Sequence, residues 1–197
     1  MKLRILSTAL VATLAFSAVA TAADNSMGMS DSKSMSMQDP MVGGAAMYAD
    51  KDIIDNAVNS KDHTTLVAAV KAAGLVDTLK SPGPFTVFAP TNEAFAALPA
   101  GTVDTLLKPE NKGTLTGVLT YHVVSGRLDT AALNAQIKAG GGKATLHTVQ
   151  GGNLTVMGRG HHLTVTDARG NTAHITIANV YQSNGVILVV DKVLMPK

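Results

Sequence analysis

Between residues 52 and 137 apolar side chains recur at three- and four-residue intervals, and from Lys143 onward they alternate with polar ones. The first spacing is that of a helix face and the second that of a half-buried strand. Ile53, Ile54, Ala57 and Val58 mark one helix. Asp62 stands where it can cap a second, with Leu66, Val67 and Val70 facing inward and Gly74 ending it. Leu75, Val76 and Leu79 make a short continuation. Later helices are predicted after Thr91, after Thr102, around Leu115, Val118 and Leu119, and from Thr130 to Ile137. Phe85 to Ala89 and Thr120 to Val124 interrupt them as β-branched and aromatic runs that read as strands. Beyond Lys143, strands are expected at 144–149, 154–157, 163–166 and 172–178. Gly151-Gly152 and Arg169-Gly170-Asn171 supply the turns, and Asn184-Gly185 is a two-residue hairpin signal leading into Val186 to Val190. Helices first and an antiparallel meander afterwards predict an α+β class.

Two segments carry more than their local meaning. One is Gly83 to Phe95, GPFTVFAPTNEAF; the other is Asn184 to Pro196, NGVILVVDKVLMP. Tyr121-His122 lies between them. These three features, in this order, closely resemble the signature segments of the fasciclin domain, and the resemblance covers about residues 50 to 197. It implies a β-wedge of two antiparallel sheets with helices packed around it. It also implies a non-enzymatic module, without a cofactor, that meets a protein, cell-surface or matrix component. In some animal members the pair corresponding to Tyr121 and His122 is implicated in integrin binding. The residues themselves favour a structural role for it. Leu119, Val123 and Val124 are core-like neighbours, and on a strand the two side chains would point to opposite faces. The chain departs from the family at Leu188, where many members carry histidine. Any role of that histidine is absent here.

The first 49 residues have no place in that pattern. Lys2 and Arg4 precede an apolar stretch from Ile5 to Val19, and Ala20-Thr21-Ala22 follows as a small-residue cleavage pattern. Residues 1–22 therefore read as an export signal, and the mature protein as periplasmic or extracellular with no membrane span. Residues 23–49 are rich in Ser, Gly and Asp, hold six methionines, and read as a disordered tether before a domain at 50–197. Met27, Met29, Met35 and Met37 are closely spaced thioethers, soft ligands suited to Cu(I). They support an alternative function as a periplasmic copper(I)-binding or copper-tolerance protein.

Charge and chemistry narrow the classes further. The chain has 16 basic and 14 acidic residues; once Lys2 and Arg4 leave with the signal, the signs balance. No basic stripe remains, which argues against nucleic acid as a partner. With no cysteine, disulfides are excluded and the fold must rest on its own core. Gly140-Gly141-Gly142-Lys143 lacks the spacing and the Ser or Thr of a phosphate loop. His162 and His174 fall diagonally on neighbouring strands, with no carboxylate or cysteine at a spacing that completes a zinc site. Asn153-Leu154-Thr155 is a formal glycosylation acceptor. No nucleophile elbow or metalloprotease helix occurs.

The cleavage pattern predicts a mature N-terminus at Ala23, within about two residues. Intact-mass analysis of the exported protein checks this, and folded exported chains that still begin at Met1 would contradict it.

Overall fold

The computed structural model describes residues 39–197. The signal at 1–22 and the tether residues 23–38, including Met27, Met29, Met35 and Met37, lie outside the described residues. The class is α+β. The chain opens with a small hairpin, β1 (Met41–Val42) and β2 (Ala45–Ala46). Three helices follow: α1 (Ile53–Ala57), α2 (Thr64–Ala73) and α3 (Val76–Lys80). Strand β3 (Phe85–Pro90) leads to α4 (Asn92–Ala96), α5 (Thr102–Leu106) and α6 (Lys112–Tyr121). Then come β4 (Val123–Ser125) and α7 (Thr130–Ala139). The rest is β5 (Lys143–His147), β6 (Asn153–Arg159), β7 (His162–Thr166), β8 (Thr172–Gln182) and β9 (Gly185–Val190).

Local chemistry explains several boundaries. Asp52 caps α1 by accepting the Asp55 N–H at 2.8 Å, and Thr91 caps α4 by accepting the Ala94 N–H. Gly74 ends α2 in the left-handed region at φ 72°. Asp62 does not cap α2 as expected; it lies in a 3-10 turn, Lys61–His63, and α2 starts without a side-chain cap.

Seven strands form one run in the order β4-β3-β9-β8-β7-β6-β5. β5 to β9 is the expected antiparallel meander. The run is not wholly antiparallel, because β3 and β9 pair in parallel, from Phe85↔Gly185 to Pro90↔Val190. Parallel strands need a long crossover, and here it runs through α4 to α7 and β4 to β8. The two signature segments thus lie side by side. Their side chains alternate between two cores. Val87, Ala89, Ile187 and Val189 join the hairpin and α1 to α6 in one cluster. Phe88, Leu188 and Val190 join α7 and β5 to β7 in the other. Burial on both faces explains the unbroken apolar run of β9, since neither face needs polar residues.

β8 bends between the two halves. Its register with β9 slips between Ile175 and Ile177 and again between Ile177 and Val180. Asn179 within that irregularity has φ 58°, a left-handed conformation that asparagine tolerates better than most residues. Its side chain accepts the Thr130 N–H and donates to Thr130 Oγ1, both at 2.8 Å, which ties the bend to the start of α7. The run also curls back on itself, because β4 and the turn after β5 meet at an isolated bridge, Val124↔Thr148.

Two further expectations need correction. Residues 39–49 are not a disordered tether. β1 and β2 pair, the Met47 N–H donates to the Pro40 carbonyl at 3.0 Å, and Val42 and Met47 are buried in the first cluster. Polar composition hid these two apolar anchors, whose partners are far away in sequence. Likewise Thr120 and Tyr121 end helix α6 instead of beginning a strand, and β4 starts only at Val123.

Met47 is 1% exposed and Met41 is 60% exposed. Met47→Ala should therefore cost about 2–5 kcal/mol, the range for truncating a buried methionine. Met41→Ala should stay within about 0.5 kcal/mol. Chemical denaturation of both variants tests the placement of the hairpin.

Candidate functional site

Tyr121 and His122 stand at the junction where α6 gives way to β4. Phe88 donates its backbone N–H to the His122 carbonyl at 2.9 Å, so the pair is keyed to the first signature strand. The Tyr121 side chain has no exposed surface. Its hydroxyl donates to the Asn153 carbonyl at 2.7 Å and accepts the Ala168 N–H at 2.9 Å. One phenol therefore joins the start of β6 to the β7–β8 turn. Burial pushes the phenol pKa above its usual value.

His122 is 2% exposed. Its Nδ1 lies 2.8 Å from the Val118 carbonyl, and its Nε2 lies 3.0 Å from the Leu194 backbone nitrogen. A carbonyl can only accept and an amide N–H can only donate. The ring must therefore be neutral, with its proton on Nδ1. Burial depresses its pKa to about 4. Leu188 is fully buried in the second cluster.

Other polar groups do similar work, with little local sign of it in the sequence. Asn184 does not provide a positive-φ hairpin turn. The tight connection is Ser183-Asn184, with Gln182 paired to Gly185. Instead the Asn184 side chain accepts the Ile53 N–H at 3.1 Å and donates to the Leu79 carbonyl at 2.7 Å, joining α1, α3 and the start of β9. Asn56 donates to the Tyr48 carbonyl and to Gln182 Oε1, which anchors the opening hairpin region to β8. Asp167 closes its own turn by accepting from the Arg169 and Asn171 backbones, and it also accepts the Met195 N–H. Burial alone would raise the Asp167 pKa, but these bonds outweigh it and hold the carboxyl below its ordinary value.

A polar recess lies away from this pair. A polar cleft of about 890 Å³ is lined by Asp50, Lys51, Asp52, Asp55, Lys80, the loop 82–84, Arg127, Ser183 and Asn184. It sits where the chain enters both signature strands. Lys80 is engaged with Asp55 at 2.5 Å and Asp52 at 3.6 Å. Lys51 lies over the Tyr48 ring, 4.7 Å from its centroid. Arg127 uses one N–H on the Gln182 carbonyl. An apolar cavity of about 50 Å³ lies between α1, α2, α3, α6 and β3, with His122 in its wall. The strand histidines His162 and His174 are exposed and diagonal, with His174 opposite Thr164. Among the described residues, no three His, Cys, Asp or Glu side chains converge on one point. No helix of the described residues is long and apolar enough to cross a membrane.

Comparison with known proteins gives a consistent picture. The sequence model of the Fasciclin domain matches residues 61–196. The chain is 45% identical over 157 residues to "Protein sll1483" of Synechocystis sp., covering 79% of each. It is 41% identical over 145 residues to immunogenic protein MPB70 of Mycobacterium bovis, covering 71% of this chain and 66% of that one. It is 36% identical over 159 residues to cell surface glycolipoprotein MPB83 of the same species, covering 78% of this chain and 64% of that one. Among solved structures, a FAS1 domain pair from the insect cell adhesion molecule fasciclin I superposes with a TM-score of 0.66 at 14% identity. That match covers 74% of this chain and 51% of the pair, a likeness of fold.

Tyr121→Phe keeps the ring and removes the hydroxyl, leaving the Asn153 carbonyl and the Ala168 N–H without their partner. It should cost about 1–3 kcal/mol in chemical denaturation. A loss under about 0.5 kcal/mol would show that water replaces the phenol at no cost.

Proposed function

The chain belongs to the fasciclin-domain family, and on that footing we propose that it is an exported, non-enzymatic module that binds a protein or a cell-surface or matrix component. The signal-like residues 1–22 support export. The names of its mycobacterial relatives place one of them at the cell surface. The kinship with an adhesion molecule supports a binding role by analogy of fold.

The observation that carries the reading is the contrast between the buried signature pair and the open polar cleft. Tyr121 and His122 spend their polar atoms inside the domain. On this reading they act from within, by fixing the scaffold, and the contact surface is the cleft beside Arg127, Lys51 and Lys80. Its walls carry both signs of charge, which suits a partner surface that is also mixed. Loops on a rigid scaffold are a common place for binding residues. Here the Asn184 bonds hold the cleft floor to α1 and α3.

The mature chain, immobilised, should retain one or more components of its native envelope. Reversing charge with Lys51→Glu and Arg127→Glu should weaken retention at least about tenfold, corresponding to about 1.4 kcal/mol. The melting temperature should stay within about 3 °C, because both side chains are exposed. Unchanged retention in the double variant would place the contact surface elsewhere on the domain.

A further inference from the structure

The segment 193–197 follows β9 and forms neither helix nor strand. Val193 and Leu194 are nevertheless buried, Leu194 in the second core cluster. Among the described residues, three polar bonds hold the segment down. Leu194 donates its N–H to His122 Nε2 at 3.0 Å, and Met195 donates its N–H to Asp167 Oδ2 at 3.0 Å. Arg169 Nε donates to the Pro196 carbonyl at 2.7 Å. Two of the three acceptors, an imidazole nitrogen and a carboxylate, are atoms that a proton can occupy.

The His122 bond has no tolerance for a second proton. Nδ1–H is already committed to the Val118 carbonyl. A further proton can go only to Nε2, where it would face the Leu194 N–H, donor against donor. Turning the ring over would not help, since an imidazolium carries N–H on both nitrogens.

We propose that the segment 193–197 is a proton-released strap: protonation of His122 at Nε2 detaches Leu194 and lets the segment lift away from the core. Pro196 and Lys197 also wall a cleft of about 580 Å³ shared with Tyr121, Gly152, Asn153 and Asp167. Release therefore widens that cleft and uncovers the apolar site of Leu194.

The surroundings set the direction. Asp167, on the β7–β8 turn, is the ionisable group whose charge reaches the ring, and it favours the imidazolium. From α6 the neighbouring titratable group is the Tyr121 phenol. The turn adds Arg169, and the segment itself adds Lys197. β3 and β9 contribute the apolar Phe88 and Leu188. Burial outweighs the Asp167 charge, so the folded ring titrates at about 4 against an ordinary 6.5. A base depressed in the folded state holds the strap fully above about pH 6.5 and loses that hold as the pH falls toward 4. Asp167, held below the ordinary carboxylate range, keeps its bond to Met195 until lower pH. Release therefore begins at Leu194.

Amide hydrogen exchange of the mature chain, read by NMR against pH, tests the proposal. If the lifted ring titrates at 6.5 and the seated ring at about 4, Leu194 protection, corrected for intrinsic exchange, falls about fortyfold between pH 6 and pH 4. Core amides of Val156 and Val165, on β6 and β7, should stay protected over that range. His122→Gln should make Leu194 protection independent of pH there. Asp167→Asn should extend the fall in Leu194 protection to lower pH, with its onset unchanged, by removing the charge that favours the imidazolium. Leu194 protection that stays flat down to pH 4, or that falls together with Val156 and Val165, would overturn the proposal. That comparison stands in the unaltered chain even if a variant fails to fold.

Discussion

The structure depends on one pairing, the parallel ladder between β3 and β9. It joins residues from Phe85↔Gly185 to Pro90↔Val190, and it separates the two cores. Every other layer is attached to one of its faces. The entry to the ladder is tight. A Cβ on Gly185 would run into the Phe85 carbonyl, so only glycine lets the two backbones close at that point. The Phe85 N–H then donates to the Asn184 carbonyl at 3.0 Å and starts the ladder.

Around that ladder the domain uses single polar side chains as staples between distant elements. Asn184 joins α1 and α3 to β9, Tyr121 joins β6 to the β7–β8 turn, and Asn179 joins β8 to α7. Asn184 and Tyr121 each satisfy two backbone partners, and Asn179 one backbone N–H and one hydroxyl, that burial would otherwise leave unpaired. With no disulfide available, these bonds and the apolar cores must fix the relative placement of the layers. The Tyr-His pair is the clearest case of a family signature whose two members point inward.

Much of this was legible in the sequence where the signal is local. Thr91 and Gly74 announced helix ends by their own chemistry, and the alternation after Lys143 announced the meander. What escaped was long-range. Val42 and Met47 are isolated apolar residues in a polar stretch, and only contact with α1, α2 and β9 gives them meaning. Thr120 and Tyr121 look like strand residues, yet α6 ends only at Tyr121, just before His122 joins its carbonyl to Phe88. Asn184-Gly185 suggested a turn, whereas the asparagine side chain serves α1 and α3 instead. The order of helices then meander predicted the α+β class, but no local pattern revealed that β3 and β9 run in parallel. The charged cleft was not legible at all, because its lining comes from four separate stretches of chain.

The separation of the two central strands has a consequence for how the protein can be made. Phe85 and Gly185 are paired across one hundred residues. A chain delivered N-terminus first, from a ribosome or through a translocation channel, presents β3 long before β9. β4 can cover one edge of β3 early, but the other edge and half of each core remain open until the last strand emerges. Non-local pairings of this kind are slow to form. A chain that emerges N-terminus first therefore stays loosely structured until β9 has followed.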